Sequence, residues 1–221
     1  MSEILANDVL GDCTAAGAFH VGGMLLANAG QPIPYTVQDV INFYSATTGY
    51  DPSQIQPDGS NPTDQGGDEQ TVLKYWQSTG LIPHEHKISA WVAVNGGDQL
   101  EVKTALWLFE NLYCGIGLPD KWVNPEPQGN GFTWDYAGRV DDNNGHCFVW
   151  TSYDASGVTI DTWGLKGKLT WTAVSHYFRK GADAELYTVL SPDILNRAVE
   201  KAPNGFWFSQ LSADIAKLHT I

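Results

Sequence analysis

The chain has 221 residues, 43% hydrophobic and 17% charged, enough apolar material for one large domain or two packed lobes. A formal net charge of −13, with no basic run, excludes a phosphate-binding surface, so neither nucleic acid nor an anionic membrane is an expected partner. No apolar run approaches the roughly 20 residues that span a bilayer. The amino terminus has no basic flank of a secretory signal, and three cysteines are too few for a disulfide framework, so a cytoplasmic, reducing setting is expected.

Residues 7–20 run from a polar, Gly-containing turn into small apolar residues that read as a buried helix to about residue 27. Cys13 falls at its first turn, where unpaired N–H groups and the positive end of the macrodipole favour a thiolate. As a small apolar residue it would equally serve a core. After a break at 30–34, Thr36 caps a helix over 37–45, with Val37, Val40, Ile41 and Tyr44 at helical spacing. Residues 49–67 form a polar loop, acidic over 51–69 and too long for a plain connector, which points to a functional or mobile segment. A helix over 68–79 follows, with Val72, Leu73 and Trp76 on one face and Gly80 as its stop.

Then come a strand at 87–94, a turn at 95–98, a helix at 99–111 and a short buried strand at 113–118. A polar loop over 124–144 carries Phe132, Trp134 and Tyr136, and strands at 147–153 and 157–161 are joined by a turn. Further strands are predicted at 169–171 and 186–190, then terminal helices at 192–195 and 209–218 around the aromatic run 206–208. A helical first half and a strand-rich second half make an α+β chain with a cleft between two lobes.

A cysteine nucleophile needs a base, and the base needs a third group to orient it. His84 and His86 share an exposed turn without further ligands, so no metal is expected; His20 reads as a core residue, and His176 and His219 as solvated. His146 differs. It opens a strand in Gly145-His146-Cys147-Phe148-Val149, and Gly145 leaves room beside it. After a hairpin comes Asp161-Thr162-Trp163-Gly164; antiparallel pairing would bring Asp161 beside His146 as acceptor for its ring N–H, with Trp163 covering the pair.

Together these motifs resemble a papain-like (cathepsin-like) cysteine protease. His146 and Asp161 follow Cys13 by 133 and 148 residues, within the roughly 130–150 of that family. Asn7 stands six residues before Cys13, where the family carries a Gln that donates to the oxyanion. Gly11, Ala15 and Phe19 match the surroundings of the nucleophile, Gln65-Gly66-Gly67 the segment that pairs with bound peptide, and Asp161-Thr162-Trp163-Gly164 the family's Asn-Ser-Trp-Gly. The resemblance covers about residues 7–167. Asn for Gln shortens the oxyanion donor by a methylene, Asp for Asn adds charge behind the base, and Thr14 replaces an aromatic.

The resemblance implies a papain-like two-lobe fold over 1–190, with a helical lobe (about 1–85), an antiparallel β-barrel-like lobe (about 86–190) and a C-terminal extension over 191–221; no propeptide is expected before it. It further implies a thiol hydrolase of peptide or amide bonds, without cofactor, in which Cys13, His146, Asp161 and Asn7 are catalytic. Gly66, Gly67, Gly145 and Trp163 would contact substrate. Asp68 and Glu69, beside the cleft wall, would favour a basic substrate side chain. A catalytically silent papain-fold binding or assembly protein, such as a viral or phage particle component, is the alternative; acyl or amide transfer by the same nucleophile is a second.

Overall fold

The computed structural model describes residues 3–32, 34–81, 83, 86–192, 210 and 213. His84, His219, the aromatic run 206–208 and most of the predicted terminal helices lie outside these residues.

Local signals explain where the elements begin. Helix α1 (Cys13–Asn28) has Asp12 as N-cap residue, but the Asp12 carboxylate makes no capping bond, which leaves the first-turn amides uncapped. Helix α2 (Val37–Thr48) starts on a capping box in which Thr36 and Asp39 bond reciprocally, and stops at Gly49 in the left-handed conformation. Helix α3 (Glu69–Ser78) is capped by Asp68, whose carboxylate accepts from the Thr71 N–H. Residues 49–67 are tied together internally: Asp51 N–H donates to Thr63 Oγ1, the Asn61 amide to the Asp51 carbonyl, and Pro52–Gln54 make a 3-10 turn. Such self-bonding makes a compact platform of a segment expected to be mobile or functional.

The second half supplies β1 (Ala90–Ala93), α4 (Gln99–Phe109), β2 (Leu112–Gly117), α5 (Asp120–Val123), β3 (Phe132–Trp134), β4 (Gly145–Tyr153), β5 (Gly157–Thr162), β6 (Leu165–Thr170), α6 (Trp171–Tyr177) and β7 (Ala184–Leu190). Among the described residues the strands form one open seven-stranded sheet, ordered β1-β7-β2-β4-β5-β6-β3, in which only the β3–β6 pair is parallel. The α+β class expected from the sequence is the one found, with an open sheet in place of a closed barrel. Strand β3 lies inside the polar loop expected over 124–144, and α5 and α6 were not expected; the one local signal for α6 is Thr170, whose hydroxyl caps the Ala173 N–H.

The sheet is covered on both faces. Phe19, Val40, Phe43, Tyr44, Val72, Leu73 and Trp76 of α1–α3 pack with Tyr113, Cys147, Val149, Tyr187 and Val189 on one face. The alternate residues Cys114, Ile116, Phe148, Trp150, Val158 and Ile160 share a second core with Val102, Ala105, Leu106, Ala173 and Val174. Helix α1 lies hard against the first face. A side chain at Gly17 would stand 3.0 Å from the Tyr113 ring and 3.2 Å from Cys147 Sγ, and the Tyr113 hydroxyl donates to the Thr14 carbonyl at 2.8 Å. This packing anchors the start of α1 beside β2 and β4. No helix among the described residues is long and apolar enough to cross a membrane.

Candidate active site

Where α1 begins against β2 and β4 there is a cleft of about 510 Å3 whose wall includes Cys13, Thr14, Gly66, Gly67, Glu69, Gly115, Gly145, His146 and Glu185. The structure thus brings together Cys13, His146, Gly66, Gly67 and Gly145 from widely separated parts of the sequence. Asn7, Asp161 and Trp163 are not on this wall.

Asn7 is occupied elsewhere. Its amide donates to Asp12 Oδ1 at 3.2 Å and to the Leu10 carbonyl at 3.4 Å, which holds the Asp12 carboxyl away from the helix start. The Asn7 amide is thus engaged away from the cleft wall, while the first-turn amides of α1 have no side-chain cap.

His146 is buried, and its Nε2 is 2.7 Å from Thr162 Oγ1, while its ring stacks on Trp163 at 4.4 Å. The expected partner, Asp161, does not make this bond. Register gives the reason. Val149 pairs with Asp161 and Trp150 with Ile160, so the pleat places His146 and Thr162 on one face of the sheet and Asp161 on the other. Asp161 is buried with Oδ1 unpartnered, and burial raises its pKa. Trp163, at φ +50°, stacks on the imidazole alone, since no His146–Asp161 pair forms, and it is not on the cleft wall.

The electrostatics also depart from expectation. Burial pushes the Cys13 thiol up to about 12, and the Glu69 and Asp12 carboxyls add to the shift; hydrogen bonding from the Cys147 and Thr14 backbone only partly opposes it. The favour that a helix N-terminus gives a thiolate is outweighed. Burial also pushes Asp12 and Glu69 up to about 7, and His146 down to about 3. His20, read as a core residue, is buried and pushed down to about 4. All three cysteines are free.

Loop 49–67 delivers the remaining wall. Tyr44 donates its hydroxyl to Asp64 Oδ1 at 2.6 Å and accepts from the Gly66 N–H at 3.1 Å, while the Gly11 N–H also donates to Asp64. Asp64 thereby joins the turn before Cys13 to the Gly66-Gly67 segment. Gly67 is required by contact: a side chain there would stand 2.5 Å from Thr14 Oγ1. Thr162, Asp64 and Tyr44 are the site-building residues that sequence reasoning missed. Thr162 alone had a signal, since it lies in the Trp-Gly motif and shares the strand parity of His146.

No protein-family model matches the sequence, and no characterised protein matches it at the sequence level. Solved structures do match the fold. Xylellain, a cysteine protease from Xylella fastidiosa, superposes with a TM-score of 0.60 at 13% identity, over 82% of this chain and 80% of that one. A Carica candamarcensis cysteine protease in complex with E-64 gives 0.54 at 11% identity, over 83% and 90%. The proform of the ragweed pollen allergen Amb a 11, also a cysteine protease, gives 0.53 at 14% identity, over 89% of this chain and 56% of that one. The fold of this chain is the papain-like two-lobe fold.

Proposed function

We propose that the chain is a thiol hydrolase of peptide or amide bonds in which Cys13 is the nucleophile and His146 the general base. The observation that carries this reading is the placement of Cys13, at an uncapped helix start, and His146, at a strand start, on one cleft wall with Gly66 and Gly67. Thr162 takes the orienting role that the sequence pattern gives to Asp161.

At neutral pH the resting pair is a thiol and a neutral imidazole, because burial raises one pKa and lowers the other. The proton therefore moves as the bond forms and not beforehand. With Nε2–H donated to Thr162, Nδ1 accepts the thiol proton while Sγ adds to the carbonyl carbon. Charge building on the carbonyl oxygen is met by the Cys13 N–H and the positive end of α1. Nδ1 returns its proton to the leaving amine, the C–N bond breaks, and a thioester on Cys13 remains. A water that gives its proton to Nδ1 then attacks the thioester, releasing a carboxylic acid and the thiol.

A peptide-binding protein without turnover is the second reading, and the Asp12 and Glu69 carboxyls that oppose a thiolate at Cys13 favour it. Acid-quenched single-turnover mixtures with a peptide thiol ester, read by intact mass, separate the two. An acyl adduct on wild type that is absent from Cys13→Ala and slow in His146→Ala is expected. No adduct at any pH would sink the hydrolase and leave the binding protein.

A further inference from the structure

Beside Cys13 the sheet offers a row of three residues on one face: Cys147 of β4 pairs with Gly115 of β2, and Gly115 with Glu185 of β7. The Cys147 backbone hydrogen-bonds the Cys13 sulfur. The middle of the row has no side chain of its own, and the Glu69 carboxyl of α3 fills the space over Gly115: a Cβ there would lie 2.0 Å from Glu69 Oε1, so Glu69 and Glu185 stand side by side on the cleft wall. Glu185 is held in place as well. Tyr187 donates its hydroxyl to Glu185 Oε2 at 2.7 Å, and the Gln70 amide donates to that hydroxyl at 2.8 Å.

Glu69 and Glu185 thus face one space, and they repel each other, which contributes to the raised pKa of Glu69. The cleft wall also carries Asp142 and Asp183 and has no Lys or Arg. The Lys168–Asp154 ion pair involves none of these four carboxylates. A second feature is independent of the acids. Thr14 is 1% exposed, its Oγ1 has no hydrogen-bond partner, and it lies on the same wall between Cys13 and Gly67. A buried hydroxyl without a partner is a polar group left for a ligand to satisfy.

We infer that the part of the cleft in front of Glu69 and Glu185 receives a lysine or arginine side chain of the bound peptide, held by these two carboxyls, so that they set the specificity of the cleft. This rests on the reading of the cleft as a peptide site. Neighbouring strands are about 4.8 Å apart, so the Glu69–Glu185 pair lies within two or three extended residues of the bond that Cys13 would attack. Charge-assisted hydrogen bonds from a cationic side chain would replace the mutual repulsion of the two carboxyls.

The test is calorimetric titration of Cys13→Ala with acetylated hexapeptide amides, five alanines and one arginine, norleucine or glutamate. Because no turnover is involved, binding is read separately from catalysis. The arginine peptide is expected to bind about 10–100-fold more tightly than the norleucine peptide. Adding Glu69→Gln and Glu185→Gln should remove most of that ratio while norleucine affinity stays the same, and raised salt should shrink it in the unaltered pocket. Equal affinity for arginine and norleucine, or a ratio untouched by both glutamine changes, would overturn the assignment. Selective arginine binding by a protein that forms no thioester would keep the pocket and remove the hydrolase.

Discussion

Replacing Thr162 by valine tests the register that defines the site. The Nε2···Oγ1 separation is 2.7 Å, and His146 and Thr162 are only 8% and 3% exposed, so water does not replace the hydroxyl. Valine fills nearly the same volume, so no cavity term enters. What remains is a buried ring nitrogen without a partner, which costs about 1–3 kcal/mol, measurable as a lower urea midpoint. The ring also loses the hydrogen bond that fixes its orientation and tautomer. The acylation rate should fall about 10–100-fold, equivalent to about 1.4–2.7 kcal/mol. Thr162→Ser, which keeps the hydroxyl, should recover most of it. Asp161→Asn should leave the rate within about threefold, under 1 kcal/mol, because Asp161 lies on the other face of the sheet. A larger loss in Asp161→Asn than in Thr162→Val would refute the pleat argument.

With its pKa pushed to about 12, Cys13 should be alkylated by iodoacetamide at a rate that climbs from neutral pH to the alkaline limit without a plateau; a plateau near pH ~5–6, lost in His146→Ala, would reveal a preformed thiolate–imidazolium pair. Asp12 has a folded pKa raised to about 7, so the native state holds its proton longer than the unfolded chain, and its contribution is lost as pH rises from 3.8 to 7. Asp12→Asn should therefore be more stable than wild type by about 1–3 kcal/mol in chemical denaturation at pH ~8 and no more stable at pH ~3.5; equal curves at both values would contradict the burial assigned to it. A Cβ at Gly67 meets Thr14 Oγ1 at 2.5 Å whereas one at Gly145 meets nothing within 4 Å. Gly67→Ala should accordingly cost about 1–3 kcal/mol in thermal unfolding, and Gly145→Ala about 0.5 kcal/mol or less.

Much of the fold was legible because its signals are local. Thr36, Asp68 and Asp98 accept from amides two or three residues on, so their helices begin where short-range hydrogen bonding permits. The helix that starts at Cys13 and the strand that starts beside His146 follow from patterning within a dozen residues. The strand expected over 169–171 overlaps the end of β6 and the first residue of α6, whose Trp171, Thr172 and Val174 have strand propensity that tertiary packing overrides.

The sequence by itself determined that a cysteine at a helix start, a histidine at a strand start and a Gly-Gly segment after a polar loop occur in papain-like order. Each of those placements depends on capping, periodicity or turn chemistry. Only the tertiary structure decided that Thr162, not Asp161, meets the imidazole, that Asn7 spends its amide on Asp12, and that Cys13 rests as a thiol. A one-residue step along a strand reverses the face a side chain takes, and a pKa responds to burial and to charges from distant segments such as Glu69. Neither quantity exists until the strands are in register and the helices have closed over them.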